Sequence, residues 1–147
     1  MAALKRSSSL DYALKALVDM ALHQGIGPVT VKSIARRQDI PVRYLEQLFN
    51  RLRRRGIVAA ERGPRGGYHL GRPAAEISVN EIFESLEQEP SNASAKAKKK
   101  AGPEASLWRQ VESAVQTTLE ATTLQSLIDQ VGESVLSDVK HPFTFHI

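Results

Sequence analysis

Apolar residues recur at three- and four-residue steps in three successive segments near the start of the chain, which is the spacing of one buried face on an α-helix. The first segment covers residues 10–22. The second covers residues 30–38, where Thr30 supplies an N-terminal cap. The third begins at Pro41, which suits a first helical position, and ends at Gly56. The third helix then carries a core stripe made of Leu45, Leu48, Phe49 and Leu52.

A pair of short β-prone runs follows the third helix, the first from Ile57 to Glu61 and the second from Tyr68 to Leu70. Between them lies the glycine-rich sequence Arg62-Gly63-Pro64-Arg65-Gly66-Gly67, which is typical of a turn. The two runs therefore predict a hairpin. Three helices followed by a basic hairpin predict a mainly α fold with a small β-hairpin wing, the winged helix-turn-helix.

A fourth helix is predicted from Val79 to about Glu87, because Ser78 and Glu81 have the residue types and spacing of a capping box. This helix completes a first domain over residues 1–89, which we expect to be the winged helix-turn-helix.

The second part of the chain is predicted to be a separate helical unit. Residues 90–103 contain four lysines and no large apolar side chain, so they predict a flexible lysine-rich linker. Residues 104–132 are expected to form two helices, with residues 133–147 as a C-terminal tail. The second helix is predicted to begin with a capping box of Thr122 and Gln125 and to stop at Gly132.

The longer of these two helices carries an apolar seam that consists of Trp108, Val111, Val115 and Leu119. Such a seam either packs within its own chain or pairs with the same helix of a second copy. The second interpretation makes residues 104–132 the dimerisation helices of a homodimer.

The composition narrows the class of protein. A chain of 147 residues with 41% apolar and 24% charged residues is typical of a globular domain. The chain has no cysteine, so disulfides and thiolate-held zinc or iron–sulfur sites are excluded. No apolar run approaches the ~18 residues that span a bilayer, and the N-terminal segment lacks the apolar core of a signal peptide. We therefore expect a cytoplasmic protein with no membrane partner.

Positive charge is concentrated in the first half of the chain. Residues 1–73 hold 14 Lys and Arg against 5 Asp and Glu, whereas residues 74–147 hold 6 against 11. The net charges of the two halves are therefore +9 and −5. A basic lobe is typical of a nucleic-acid binder, although an anionic membrane or an acidic protein would attract it as well.

The third helix carries polar side chains opposite its core stripe, on the face that enters the DNA major groove in helix-turn-helix proteins. Arginine can pair with guanine, glutamine with adenine and glutamate with cytosine. The candidates for base contacts are Arg43, Tyr44, Glu46 and Gln47. The candidates for phosphate contacts are Arg51, Arg53, Arg54 and Arg55 on this helix, and Lys5 and Ser8 near the N-terminus. A solvated basic face is the alternative interpretation.

The hairpin tip carries two further candidates. Arg62 and Arg65 lie beside glycines that allow the backbone to approach a ligand closely, which suits arginines entering a DNA minor groove. An ordinary glycine-rich turn is the alternative.

Nothing in the sequence predicts catalysis. The four histidines are scattered, and no cysteine is present to pair with one of them as a nucleophile. The glycine-rich hairpin also lacks the Lys-Ser/Thr pair of a phosphate-binding loop. We therefore expect a protein that is not an enzyme and needs no cofactor.

Several motifs occur together in the first half of the chain: Tyr44-Leu45-Glu46-Gln47-Leu48-Phe49, Arg51-Leu52-Arg53, Arg62-Gly63-Pro64 and Gly66-Gly67-Tyr68. In this combination the chain resembles the IscR/NsrR/CymR family of bacterial transcription regulators. The resemblance implies a dimeric winged-helix protein that binds double-stranded DNA, usually as a repressor, at a pseudo-palindromic operator. It also implies that Arg43, Tyr44, Glu46 and Gln47 meet bases and that Arg62 enters the minor groove.

The chain departs from the cluster-sensing members of this family, which carry three cysteines between the fourth and fifth helices. It is similar to the cluster-free branch, typified by the cysteine-metabolism repressor, whose members are regulated by binding cysteine synthase. The resemblance extends to the tail, which contains aromatic residues and ends in isoleucine. A terminal isoleucine offers a carboxylate and a compact apolar group, so our hypothesis is that Phe145, His146 and Ile147 bind the synthase, with Ile147 inserted into its active site. A C-terminus without a partner is the alternative for the tail.

Sulfur and cysteine metabolism is therefore the expected regulon. Two alternatives stay open. One is a regulator of another pathway that senses a small molecule in the cleft between its DNA-binding lobe and its dimerisation helices. The other is a protein-interaction module whose basic lobe binds an acidic partner and no DNA.

Overall fold

The computed structural model of the protein describes residues 8–63, 66–87 and 102–138. Three helices come first: α1 (Ser8–His23), α2 (Val31–Gln38) and α3 (Val42–Arg54). An antiparallel hairpin and a short helix follow: β1 (Val58–Glu61), β2 (Gly67–Leu70) and α4 (Val79–Leu86). The remaining helices are α5 (Pro103–Ala121) and α6 (Leu124–Asp138). The predicted mainly α fold with a hairpin wing is confirmed.

The hydrophobic core lies between α1, α2, α3 and α4. The predicted stripe of α3 is confirmed, since its four members are at most 1% exposed. From α1 the core receives Ala13, Ala16, Leu17 and Met20. Leu22, which belongs to the apolar pattern of the first segment, is 52% exposed, because it lies about 140° around the helix from Leu17.

The ends of α3 fix its length. Pro41 is the residue before the helix and not its first position as predicted. At the other end Gly56 adopts a φ of +72°. This left-handed conformation lets the Ile57 N–H donate to the Leu52 carbonyl at 3.0 Å and the Gly56 N–H donate to Arg53 at 3.0 Å. The predicted end of the helix at this glycine is therefore confirmed.

The wing is joined to the loop before α2. Val29 and Tyr68 exchange backbone hydrogen bonds of 2.9 and 2.7 Å, and the Tyr68 ring packs edge-on against Phe49 of α3 with centroids 5.0 Å apart. A Cβ on Gly67 would lie 2.7 Å from the Val29 carbonyl oxygen, so this close approach requires glycine. The wing is thereby fixed beside α3.

The predicted capping box of α4 is confirmed. Ser78 Oγ accepts from the Glu81 N–H at 3.1 Å, and the Ser78 N–H donates to Glu81 Oε2 at 3.0 Å.

The expectation of a separate C-terminal unit is wrong. The Val79 N–H donates to the Thr122 carbonyl and the Leu124 N–H to the Ile77 carbonyl, both at 2.8 Å. Leu124 is fully buried in the main core. The junction of α5 and α6 therefore belongs to the same packed unit as α4.

Two details of the C-terminal helices also differ from the prediction. The cap of α6 is Thr123, whose Oγ1 accepts from the Ser126 N–H at 3.1 Å, and the helix continues past Gly132 to Asp138. Residues 90–101 of the predicted linker lie outside the described residues, while its last residue, Pro103, begins α5. Among the helices described, none combines the length and the apolar character needed to cross a bilayer.

Candidate nucleic-acid interface

The polar face of α3 is free of the rest of the chain. Its positions recur at helical spacing, so they form one continuous surface. The exposed members are Arg43, Glu46, Gln47, Asn50 and Arg54. Arg53 and the C-cap Arg55 are exposed as well, and Glu46 is the one acid in α3. The surface therefore combines a positive charge with donors and acceptors that can read base edges.

Tyr44 occupies a different position from the other predicted base contacts. It is half-buried, and its ring packs edge-on against Tyr12 of α1 with centroids 5.6 Å apart. This contact holds the first turn of α3 against α1, a packing role that the sequence did not predict.

Arg51 also differs from the other arginines of α3. It is half-buried, and its Nη1 donates to the Leu86 carbonyl at 3.1 Å. Leu86 is the last residue of α4, where the final carbonyls lack partners within the helix. Arg51 therefore holds the end of α4 to α3, a role outside its predicted phosphate contact.

The wing places one of its two predicted arginines at the surface. Arg62 is exposed at the end of β1, next to Gly63 with a φ of +115°. Arg65 and Lys5 lie outside the described residues, whereas Ser8 is the exposed first residue of α1. The DNA contacts of all four residues stay predictions.

A groove of about 420 Å³ lies between the first turn of α2, the polar face of α3 and the wing. It is lined by Thr30, Val31, Lys32, Glu46, Asn50, Gly67 and Tyr68. Lys32 and Asn50 were not predicted as contacts. The sequence held a signal for each. Lys32 lies two residues after the Thr30 cap of the preceding helix, and Asn50 is a polar residue one turn beyond Glu46.

A buried carboxylate orients α2 against α1. Asp19 is 4% exposed. Its oxygens accept from Arg37 Nη2 at 2.6 Å, from Arg37 Nε at 3.0 Å and from Gln38 Nε2 at 2.9 Å. The hydrogen bond to Asp19 raises the pKa of Arg37 above its ordinary value. The sequence carried a signal for this network that was not used, an aspartate beside the core positions of α1.

A second polar cluster joins the end of the wing to α4. Arg72 Nη2 donates to Glu81 Oε1 at 3.0 Å, and Arg72 Nη1 donates to the Glu76 carbonyl at 3.3 Å. The pKa of Glu81 is lowered, first by the backbone hydrogen bond from Ser78 and further by Arg72. Arg72 was not singled out from the sequence.

The apolar seam of α5 is only partly covered within the chain. Trp108 is 44% exposed and the adjacent Leu107 is 55% exposed. No residue of α5 is buried. The other seam members, Val111, Val115 and Leu119, are half-buried.

A helix-turn-helix with a free polar face on its second helix, followed by a wing fixed beside that helix, defines a winged-helix DNA-binding protein. Comparison with known families agrees. Residues 6–130 match the family described as "Rrf2: Iron-dependent Transcriptional regulator". The chain belongs to the Rrf2 family of transcriptional regulators, and it is not an enzyme.

Individual relatives cover most of the chain. The HTH-type transcriptional regulator IscR of Serratia proteamaculans is 36% identical over 140 residues, which is 92% of this chain and 85% of the relative. The structure of T. potens IscR superimposes with a TM-score of 0.77 at 36% identity, covering 89% of this chain and 90% of that one. CymR, the global cysteine regulator of B. subtilis, gives a TM-score of 0.73 at 33% identity, covering 86% and 98%.

The iron dependence in the family description does not fit the donor atoms of this chain. Iron–sulfur clusters are held mainly by cysteine thiolates, and the sequence contains no cysteine. Within the described ranges, no three His, Asp or Glu side chains come together as a set of metal ligands. A thiolate-held cluster therefore has no ligands here.

Proposed function

We propose that the protein is a homodimeric repressor that binds a pseudo-palindromic operator through two copies of α3. The exposed seam of α5 is the observation that carries this proposal, because a helix with this much uncovered apolar surface is stabilised by a partner. Pairing the seam with its twin would relate two α3 helices by a twofold axis. Half-sites one or two helical turns apart would then match the dimer.

Within each half-site we assign base contacts to Arg43, Glu46 and Gln47, the exposed residues near the start of α3. The phosphate contacts belong to Arg54 and its exposed neighbours, with Lys5 and Ser8 as further candidates. Arg62 and Arg65 would enter the minor groove from the wing. Tyr44 and Arg51 take part indirectly, by holding α3 to α1 and α4.

A pair of variants tests this assignment. Gln47→Ala is expected to relax base preference at one position, by about 1–3 kcal/mol of lost discrimination. Arg54→Ala is expected to weaken binding to all duplexes similarly and to lower the salt dependence by about one ion. Titrations of a selected operator and a scrambled duplex over a range of salt concentrations measure both effects. Equal effects of the two variants on every duplex would contradict the assignment.

We further propose cysteine and sulfur metabolism as the regulon, with cysteine synthase as the regulatory partner. The supporting facts are the absence of cysteine in the chain and the similarity to CymR over almost the whole length of that protein. Selection of genomic fragments by the purified protein, with and without the synthase, tests the regulon. Removal of Phe145, His146 and Ile147, which lie outside the described residues, tests the tail: unchanged co-purification of the synthase would exclude it as the contact.

A cleft in the structure favours a second candidate, direct sensing of a small molecule. The cleft has a volume of about 630 Å³ and lies between the end of α1, the end of the wing and α6. Its polar lining residues are Gln24, Arg72 and Gln125. A ligand there would contact Gly71 and Arg72, just after β2, and would therefore affect the position of the wing. O-acetylserine added without the synthase separates the candidates, since weaker operator binding under that condition would favour direct sensing.

A further inference from the structure

We propose that Val42 is a specificity-determining residue that recognises the 5-methyl group of one thymine in each half-site. The inference rests on the proposed mode of DNA binding, in which the first turn of α3 meets base edges. It extends that mode from hydrogen bonds to an apolar contact.

The position of Val42 is unusual for an apolar side chain in this protein. In the described part of the chain, four large hydrophobic residues are exposed: Leu22, Val42, Leu107 and Trp108. Leu107 and Trp108 lie on α5 beside the proposed dimer seam, and Leu22 lies at the end of α1. Val42, at 36% exposure, is the one on α3. About a third of its surface is therefore open to solvent, at the start of the polar face of α3.

The neighbours of Val42 place it at the surface that reads DNA. It is the first residue of α3, adjacent to the exposed Arg43 and one turn before the exposed Glu46. Residues at the start of a recognition helix are those that reach base edges in helix-turn-helix proteins. Val42 is therefore positioned with the predicted base contacts and away from the phosphate-binding end of the helix.

The chemistry of the side chain determines what it can recognise. Valine cannot form a hydrogen bond, and the thymine methyl is the one apolar group that a base presents in the major groove. A β-branched side chain also has a strongly preferred rotamer in a helix, and the preceding Pro41 restricts the backbone, with a φ of −58°. Ordering the side chain of Val42 on DNA binding should therefore cost little rotamer entropy.

Replacement of thymine by deoxyuridine isolates this contact, because it removes the methyl group and keeps the base pair. The probe is an operator duplex that the full chain selects from randomised DNA, with each thymine replaced in turn. For the native chain we expect one position per half-site at which the replacement weakens binding about threefold to fivefold, as for one buried methyl group. Val42→Ala should bind the thymine duplex more weakly by a similar factor and should no longer distinguish the two duplexes at that position.

Matched variants complete the experiment. Leu22→Ala removes an apolar side chain from α1 that is 52% exposed, and it should keep the native response to deoxyuridine. Val42→Thr retains one methyl group and should keep part of that response. An operator that shows no methyl-sensitive thymine, or a Val42→Ala protein with the native response, would overturn the inference while leaving the proposed function intact. Failure to select any duplex would overturn the proposed function and this inference together.

Discussion

The two amphipathic helices α3 and α5 differ in how far the chain itself buries their apolar faces. The stripe of α3 is at most 1% exposed, whereas α5 buries no residue and leaves Trp108 44% exposed. The position of α3 is therefore set by its own chain, and its polar face is complete in a single copy. In the proposed homodimer a second copy covers the apolar face of α5, so the spacing between the two α3 helices is a property of that assembly.

Polar contacts follow the same division. In the DNA-binding lobe they are buried or half-buried, as in the Asp19 network between α1 and α2 and the contact of Arg51 on α3 with Leu86. On α5, Gln116 Nε2 donates to Asn80 Oδ1 of α4 at 3.0 Å. Gln116 lies about a quarter turn from Val115, so the contact with α4 lies beside the seam.

The most damaging change is expected in the seam. Trp108→Glu would place a charge in the proposed interface, where it would have no partner. We expect the dissociation constant of the dimer to rise at least a hundredfold, which corresponds to about 2.8 kcal/mol. Sedimentation equilibrium measures this change. Gln110→Glu adds the same charge at an exposed position on the other side of α5 and should leave the dimer unchanged. An unaffected Trp108→Glu dimer would show that the seam is not the interface.

A change inside the DNA-binding lobe should lower stability at every protein concentration. Asp19→Ala leaves Arg37 and Gln38 without their acceptor, and hydrogen bonds to a charged group contribute about 1.5–3 kcal/mol. We expect a loss of about 2 kcal/mol in urea unfolding. Glu112→Ala removes an exposed carboxylate from α5 and should cost below about 0.5 kcal/mol. Equal losses in the two variants would mean that Asp19 does not orient α2.

The arginines of α3 allow a finer comparison within one helix. Arg51→Ala removes the contact with the α4 carbonyl and should destabilise the protein by about 1 kcal/mol. Arg54→Ala should change stability by less than about 0.5 kcal/mol because the side chain is exposed. Urea unfolding of both variants without DNA measures the difference. The reverse order would show that Arg54, and not Arg51, supports the fold.

Local sequence signals predicted the helices and the wing well. The Thr30 cap, the capping box of Ser78 and Glu81 and the glycine that ends α3 each act through neighbouring backbone groups, so the sequence contains their full cause. The polar face of α3 was predicted for the same reason, because helical spacing alone separates it from the stripe.

Contacts between distant segments could not be derived in that way. Arg51 and Arg54 differ by three positions and look alike in the sequence, yet Arg51 faces α4 because of how the two helices cross. The burial of Leu124 likewise depends on the pairing of residues 122–124 with 77–79. A pattern in one segment does not reveal which other segment covers it.

The smallest expected effect concerns pH and the cluster that joins the wing to α4. The lowered pKa of Glu81 means that its ionised form stabilises the folded state above the pKa of an unfolded glutamate, about 4.3. This contribution is lost as the pH falls through the lower folded value. Since the Glu81 side chain is 41% exposed, solvent screening should keep this contribution to the free energy of unfolding below about 1 kcal/mol.

Glu81→Gln can still form a capping box but does not titrate. Urea unfolding at pH 7, 5 and 3 should therefore show a native advantage over this variant that is constant down to about pH 5 and shrinks toward pH 3. An advantage that grew on acidification would contradict the assigned sign and would separate Glu81 from the polar contacts that stabilise the DNA-binding lobe.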